Sequence, residues 1–266
     1  MNATLEQIKG RLVVSCQAYP GEPMLDPRTM AQVAASVERG GAAAVRAKGL
    51  ADVVAVRAAV SVPVIGLVKQ GDSGVYITPT LESALAVAAT GCEIVALDGT
   101  RRPRPDGLTL AATVAGIRAV YPDVLLMADC GSYDDAVAAT AAGFDILGTT
   151  LGGYSGERPK TAGPDWDLVD QVVGLGTLPV VVEGRVHTPD QAAEALRRGA
   201  WSVCVGTAIT HPATITSWFV AAVDAASSGG TSSGASVVDG ASSGGASSGA
   251  SVVDGSVGVE AETVRD

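Results

Sequence analysis

The sequence predicts an α/β fold class: a single-domain (β/α)8 barrel, or TIM barrel, with a disordered C-terminal tail. Eight short apolar runs recur along about 225 of the 266 residues, and segments with helical periodicity separate them. Such alternation is typical of a parallel sheet with crossover helices, and eight strands in this length favour a closed barrel over an open doubly wound sheet. The open sheet is also disfavoured because no glycine-rich dinucleotide fingerprint follows the first run.

The eight predicted strands consist largely of Val, Leu, Ile and Ala. Unbroken short runs of such residues suit parallel strands that are covered on both faces. In chain order the runs are LVVSC (12–16), AAVRA (43–47), PVIGLVK (63–69), EIVALD (93–98), VLLMADC (124–130), FDILGTT (144–150), PVVVEG (179–184) and WSVCVG (201–206).

The predicted helices lie between these runs. The segments MAQVAASVERGG, LESALAVAATG and AAEALRRGA have helical periodicity, and several helical segments end on glycine, which is common at helix C-caps. After the seventh strand, Thr188, Pro189 and Gln191 fit an N-cap, a first-turn proline and the third position of a capping box. A helix is therefore predicted to begin there.

Residues 227–266 are predicted to form a tail outside the barrel domain of residues 1–226. No aromatic residue follows Phe219, and SSGASVVDG occurs at 232–240 and again at 247–255. A segment rich in Gly, Ser and Ala buries too little apolar surface to offset the entropy lost on ordering. We expect this tail to be disordered and to carry no chemistry.

Composition and charge argue against several partners. A hydrophobic content of 47% with 17% charged residues is typical of a globular protein, and no apolar run approaches the roughly 18 residues of a membrane span. The N-terminal MNATLEQIKG lacks the basic and apolar regions of a signal peptide, so we expect a cytoplasmic protein. A net charge of -10 should repel nucleic acid and anionic membranes, so an anionic substrate would need a local cluster of donors.

The cysteines and histidines give no metal-binding pattern. Cys16, Cys92, Cys130 and Cys204 lie far apart, within or just after apolar runs, where a free cysteine behaves as a small hydrophobic residue. The chain has two histidines. We therefore expect no metal site.

Polar residues stand at the ends of six predicted strands, where a barrel of this class carries its active site. An isolated Glu183 could be a solvated carboxylate, and an isolated Lys69 a surface lysine. Because polar residues recur at six strand ends, we favour a functional role for both residues. The chain has only four lysines, one of which ends an apolar strand. The six residues are Gln17, Arg46, Lys69, Asp98, Asp129 and Glu183.

A phosphate site is predicted beside the last two strands. The segment GTAIT (206–210) begins with Gly206 and Thr207, which leave backbone N–H groups accessible, and Gly184 and Arg185 follow strand 7. In many barrels the loops after strands 7 and 8 bind phosphate. The combination suggests a phosphorylated substrate.

These motifs carry a resemblance to a known family. The stretches SCQA (15–18), VRAKG (45–49), PVIGLVK, ITPT (77–80), ALD (96–98), MADC (127–130), GTTLGGY (148–154), VEGRVHTP (182–189) and VGTAIT resemble the N-acetylmannosamine-6-phosphate 2-epimerases, from about Arg11 to Phe219. The resemblance implies a cofactor-free isomerase of amino-sugar and sialic acid catabolism. It would act on a phosphorylated N-acetylhexosamine and pair as a homodimer.

The resemblance also implies roles for individual residues. Lys69 and Glu183 correspond to the catalytic pair, while Gln17, Arg46 and Asp129 would contact the sugar. The sequence departs from the family at two places. The family usually has AITRP where this chain has AITHP, so His211 replaces an arginine that would face the phosphate. After the catalytic lysine the family commonly has an Arg and a Tyr nearby, whereas here the loop is QGDSGVY.

Inversion at C2 of an N-acetylhexosamine requires ring opening and removal of a proton next to a carbonyl. A base must move that proton, and a donor must stabilise the enolate oxygen. Lys69 and Glu183 could share these tasks, and the sequence does not assign them individually. Three alternatives remain: a Schiff-base aldolase that uses the lysine, a metal-dependent pentose-phosphate epimerase, and a non-catalytic sugar-phosphate binder.

Overall fold

The computed structural model of the protein describes residues 2–71 and 73–229 and confirms the predicted barrel. Eight parallel strands pair in chain order, and the first pairs with the last, so the sheet closes on itself. The strands are β1 (Leu12–Cys16), β2 (Ala44–Lys48), β3 (Val64–Leu67), β4 (Ile94–Asp98), β5 (Leu125–Asp129), β6 (Ile146–Gly148), β7 (Val180–Glu183) and β8 (Ser202–Val205).

Two of the predicted strand ends are wrong. Arg46 lies in the middle of β2, paired with Ser15 of β1 and Ile65 of β3, so its side chain starts deeper in the barrel than expected. β3 stops at Leu67, and Lys69 lies two residues beyond it, in an isolated antiparallel bridge with Ile77. The lysine is therefore held by a short hairpin-like contact above the barrel rather than by the sheet.

Helices follow the strands as the periodicity predicts. The capping box that begins the helix after β7 is confirmed, because Thr188 and Gln191 exchange side-chain and backbone hydrogen bonds and Pro189 is the first helical residue. The helices are α1 (Ala3–Ile8), α2 (Pro27–Arg39), α3 (Leu50–Ala59), α4 (Leu81–Ala88), α5 (Leu110–Val120), α6 (Tyr133–Ala142), α7 (Trp166–Gly174), α8 (Pro189–Arg197), α9 (Thr207–Thr210) and α10 (Pro212–Gly229).

Helix α1 precedes the first strand and closes one end of the barrel. Leu5 and Ile8 are buried in the same cluster as the inward-facing residues of the strands, including Ile65 and Met127. The indole N–H of Trp201 donates to the Leu5 carbonyl at 2.9 Å, which fixes α1 to the start of β8. The N-terminal end of the barrel is thus filled, and the site must be sought at the other end.

The chain divides into a compact unit that spans Met1–Ile215 and a second unit that begins at Thr216. Helix α10 continues to Gly229 and so includes the first three residues of the predicted tail. The rest of that tail, residues 230–266, lies outside the described residues, and its predicted disorder stays a prediction. No helix in the described ranges is long and apolar enough to cross a membrane.

Candidate active site

A cavity of about 260 Å³ opens at the carboxyl ends of the strands. It brings together nine of the ten predicted site residues, although they come from five separate regions of the chain. The tenth, Asp129, contacts this group through Arg46. The nine that line the cavity are Gln17, Arg46, Lys69, Glu183, Gly184, Arg185, Gly206, Thr207 and His211.

A buried ion pair between Arg46 and Asp129 forms the floor of the site. The guanidinium donates from Nη1 to Asp129 Oδ1 at 3.0 Å and from Nη2 to Oδ2 at 2.6 Å, and both side chains are essentially inaccessible. Thr150 donates its hydroxyl to the same Oδ1 at 2.6 Å. Burial alone would lower the pKa of Arg46, but the carboxylates of Asp129 and Glu183 outweigh burial and raise it. The guanidinium therefore stays charged.

Glu183 ends β7 beside this ion pair. Its Oε2 accepts from Arg46 Nη1 at 2.9 Å, and 14% of its side chain is exposed. Thr149 holds the backbone of this residue, since its hydroxyl donates to the Glu183 carbonyl and accepts from the Glu183 N–H. Burial raises the pKa of Glu183, Arg46 partly offsets that effect, and the charge of Asp129 adds to it. This carboxyl consequently holds a proton to higher pH than an exposed glutamate does.

Lys69 lines the same cavity and is partly buried. Its Nζ lies 2.9 Å from the Tyr19 hydroxyl. The charge of Lys69 is also felt at Glu183, where it favours the carboxylate form. A basic amine and a carboxyl group of raised pKa thus face one enclosed space, which is the arrangement that proton transfer requires.

Gln17 presents an unused acceptor to the site. Its side-chain nitrogen donates to the Ser15 hydroxyl at 2.8 Å, while Oε1 is buried and has no hydrogen-bond partner within the described part of the chain. A buried polar atom without a partner costs free energy. A hydroxyl or amide N–H of a bound ligand would satisfy Oε1.

The loop after β7 begins with two residues of positive φ, Gly184 at 110° and Arg185 at 56°. The Arg185 guanidinium donates to the carbonyls of Gly163 and Gly152 and to the Thr161 hydroxyl, at 2.9 to 3.0 Å. Three acceptors in the loop between β6 and α7 therefore occupy this side chain. Arg185 orders the wall of the cavity, and its partly buried side chain lines that cavity.

His211 lies at the end of α9, on the side of the cavity formed by Gly206 and Thr207. Its Nδ1 is 3.4 Å from Glu22 Oε1, and its ring centroid is 5.7 Å from that of Tyr19. Gly206 packs closely on β1, because an added Cβ would lie 3.2 Å from the Ser15 Cβ. A side chain at this position would therefore require Ser15 to shift by a few tenths of an ångström.

Asp98 does not line the cavity, although it ends β4 as predicted. Its carboxylate is fully buried and accepts from the Thr100 hydroxyl and from Arg102. Burial raises its pKa, and the bonds from Thr100 and the charge of Arg102 counter that effect. Asp98 stabilises the loop after β4.

Sequence reasoning missed three tyrosines that line the cavity: Tyr19, Tyr76 and Tyr154. The chain has only five tyrosines, so their positions next to the motifs SCQA, ITPT and GTTLGG were a usable signal. Burial, and then the nearby carboxylates, raise the pKa of Tyr76 to about 12, so its hydroxyl remains a neutral donor.

Across the described ranges, no group of three or more His, Cys, Asp or Glu side chains is placed to hold a metal ion.

Fold and site together define the chain as a barrel protein of the TIM class, with a lysine and a carboxyl group facing one cavity at the strand ends. Comparison with known proteins gives the family. Residues 30–225 match a family described as "Putative N-acetylmannosamine-6-phosphate epimerase". The chain belongs to this enzyme family.

Individual relatives agree with that result. A protein of Cutibacterium acnes named "Putative N-acetylmannosamine-6-phosphate 2-epimerase" is 59% identical over 81% of this chain and 94% of its own. A similarly named protein of Caldanaerobacter subterraneus is 44% identical over 81% and 92%. The solved structure of the N-acetylmannosamine-6-phosphate 2-epimerase from Clostridium perfringens superposes with a TM-score of 0.80 at 37% identity, covering 83% of this chain and 96% of that one.

The raised pKa of Glu183 predicts how Glu183→Gln alters stability with pH. A carboxyl whose pKa is higher in the folded than in the unfolded state favours folding below its unfolded pKa, and that advantage is lost as pH rises through its folded pKa. Glutamine does not ionise. We therefore expect the free energy of unfolding of the variant, relative to wild type, to increase as the pH rises above about 4 in urea titrations.

Glu38 supplies a control of opposite sign. Hydrogen bonds from Ser61 lower its pKa, so the charge of Glu38 favours folding above its unfolded pKa and that advantage is lost at lower pH. Glu38→Gln should therefore lose stability relative to wild type as pH rises. Parallel slopes for the two variants would show that Glu183 is not held in a charge-disfavouring environment.

Proposed function

We propose that the protein interconverts N-acetylmannosamine 6-phosphate and N-acetylglucosamine 6-phosphate by moving the proton at C2, without a cofactor. The observation that carries this proposal is that the Lys69 amine and the Glu183 carboxyl line one small cavity at the mouth of the barrel. The names of the relatives supply the substrate. The cavity chemistry supplies a base and an acid at the place where this fold carries its active site.

The reaction needs an open-chain substrate, because the C2 proton becomes acidic only beside the C1 aldehyde. Glu183 holds a proton to higher pH than an exposed glutamate, which suits transfer of that proton during ring opening. Lys69 then exchanges the C2 proton. The enolate then turns its opposite face to the Lys69 ammonium, which returns a proton to C2 and so gives the epimer.

Charged and polar groups at the cavity floor would stabilise and orient the sugar. Arg46 remains protonated and carries positive charge where the enolate oxygen would develop negative charge. Gln17 offers its unpartnered Oε1 to a sugar hydroxyl or to the acetamido N–H. Asp129 contributes mainly by fixing the Arg46 guanidinium through two hydrogen bonds.

The phosphate would lie toward the loops after β7 and β8. Gly184, Gly206 and Thr207 line this side and offer backbone N–H groups, and His211 faces it from the end of α9. The Arg185 guanidinium is bound to loop acceptors, so it would act on the phosphate through its charge. A sugar ring placed at Lys69 and Glu183 would thus extend toward His211.

Deuterium exchange tests the reaction and the catalytic lysine together. Wild-type protein with N-acetylmannosamine 6-phosphate in deuterated water should incorporate deuterium at C2 and form the epimer. Lys69→Ala should reduce both rates by about 10²- to 10⁴-fold, because acid–base catalysis by the amine is lost, and substrate should still bind. Lys9→Ala is the matched control, since Lys9 lies over Trp201 at the closed end of the barrel.

The same preparations distinguish the rival functions. A Schiff-base aldolase would be trapped covalently at Lys69 by borohydride in the presence of substrate. Loss of activity on chelation, restored by a divalent metal, would favour a pentose-phosphate epimerase. Wild-type protein that binds the sugar phosphate without exchange at C2 would be a binding protein, and the proposed epimerase function would be wrong.

His211→Arg should tighten phosphate binding if this side of the cavity holds the phosphate. A guanidinium donates two aligned hydrogen bonds to an anion, whereas a neutral imidazole donates one. We expect a lower Michaelis constant for the sugar phosphate and stronger inhibition by inorganic phosphate. Affinity for unphosphorylated N-acetylmannosamine is the control and should not change. Equal affinities of variant and wild type for inorganic phosphate would place the phosphate elsewhere.

We also propose a cytoplasmic homodimer. All four cysteines are buried free thiols, which suits a reducing compartment. Helix α10 exposes 70% of Phe219 and 62% of Val223, together with Trp218 and Val220, and adjacent exposed apolar side chains are typical of a contact surface.

Sedimentation of the full chain tests the dimer. We expect twice the chain mass of 26.5 kDa, because pairing would cover the apolar residues of α10. Phe219→Glu should shift the protein toward monomer. Val54→Glu, at an exposed position of α3, is the control and should not. A wild-type protein that sediments only as monomer would contradict pairing.

A further inference from the structure

Tyr19 holds the amine of Lys69. Its hydroxyl lies 2.9 Å from Nζ and is the one hydrogen-bonding partner of that amine among residues 2–71 and 73–229. Nζ also lies 4.8 Å from the centroid of the tyrosine ring. Lys69 is two residues beyond the end of β3, so the sheet does not fix its side chain. The contact with Tyr19 therefore determines where the amine points.

The Tyr19 hydroxyl is a suitable partner for a lysine that acts as a base. A phenol both donates and accepts, so it can accept from the ammonium form and donate to the neutral amine. A carboxylate or a carbonyl could only accept and would favour the ammonium form. An amine that removes a proton and returns it passes through both forms. Tyr19 can hold Nζ in each of them.

Tyr19 is itself fixed by its neighbours. Lys48, the last residue of β2, donates to the Ala18 carbonyl at 2.6 Å, and its Nζ lies 4.2 Å from the centroid of the Tyr19 ring. The Tyr19 N–H donates to Glu22 Oε2 at 2.7 Å. These contacts fix the loop between β1 and α2 at Ala18 and Tyr19. They therefore hold the Tyr19 hydroxyl in place at the cavity.

Lys48, Lys69 and Tyr19 form a cluster in which Lys48 is partly buried. Burial, and then the charge of Lys69, lower the pKa of Lys48, although Asp52 and Glu22 act in the opposite direction. Two lysines beside one aromatic ring repel each other, and the attraction of each ammonium to the ring offsets part of that repulsion. The pair remains together because Ala18 and Tyr19 each give one ammonium a hydrogen-bonding partner.

We propose that Tyr19 is the positioning residue of the Lys69 base, supported by Lys48 and Glu22 through the loop between β1 and α2. This inference rests on the proposed epimerase function and adds to it a residue that none of the predicted roles includes. The tyrosine exchanges no proton with the substrate. It keeps the amine at the C2 carbon through the whole proton-transfer cycle.

Kinetics of Tyr19→Phe test the proposal, because this change removes one oxygen and keeps the ring against both lysines. We expect kcat and the rate of C2 deuterium exchange to fall together by about 10- to 100-fold, as small misplacement of a reacting group commonly costs. KM should stay within about twofold, since the hydroxyl is engaged with Lys69 and not with the sugar. Tyr121→Phe, at the end of α5, is the matched control and should leave both constants unchanged.

A second variant loosens the loop without touching the hydroxyl. Lys48→Met removes the hydrogen bond to Ala18 and the contact with the ring, and it should lower kcat several-fold with little change in KM. If Tyr19→Phe lowers the melting temperature, Lys48→Met is the variant that tests the positioning role.

The results separate the positioning role from the proposed function. Exchange in wild type with near-normal kcat in Tyr19→Phe would overturn the role of Tyr19 and leave the epimerase intact. A raised KM with unchanged kcat would also overturn it, because the hydroxyl would then contact substrate. Absence of C2 exchange in wild type would overturn the epimerase function, and the positioning role with it.

Discussion

The site depends on one buried cation. Arg46 extends from the middle of β2 into the mouth of the barrel, where it bonds Asp129 of β5 with two hydrogen bonds and Glu183 of β7 with one. Removing a guanidinium from water is costly, and hydrogen-bonded carboxylates repay that cost only when their geometry is good. Three strands of a closed barrel supply this geometry, because their register fixes the height of each side chain. The barrel can therefore keep the Arg46 guanidinium buried and paired, which requires partners held more rigidly than in a flexible loop.

The same cation determines the chemistry around it. Two carboxylates share one guanidinium, and Asp129 takes the larger part through its bidentate contact and the hydroxyl of Thr150. Glu183 keeps a single bond to Arg46, and burial favours its protonated form. Both acidic residues pair with Arg46, and the weaker hold on Glu183 is why we propose Glu183 as the carboxyl that exchanges a proton.

The second cation of the site, Lys69, is held in a different way. It lies beyond the sheet, and its partner is the neutral hydroxyl of Tyr19 instead of a carboxylate. A strong ion pair would stabilise the ammonium and reduce its value as a base. The barrel thus holds the permanently charged group, and the loops hold the amine that we propose as the base. That division follows from rigidity, since the strands hold the buried carboxylates of Asp129 and Glu183 at fixed positions beside the guanidinium.

The sequence by itself determined the barrel, the helix start at Thr188 and the identity of the catalytic candidates. Strand and helix patterns, and the capping box, depend on neighbouring residues, so they are legible in the chain. Only the tertiary structure decided that Arg46 lies within β2 and joins Asp129 and Glu183, which are 83 and 137 residues away. It also decided that Tyr19 meets Lys69 and that acceptors in a loop occupy Arg185. Such contacts depend on strand register and loop path across the closed barrel, and no local pattern encodes those distances.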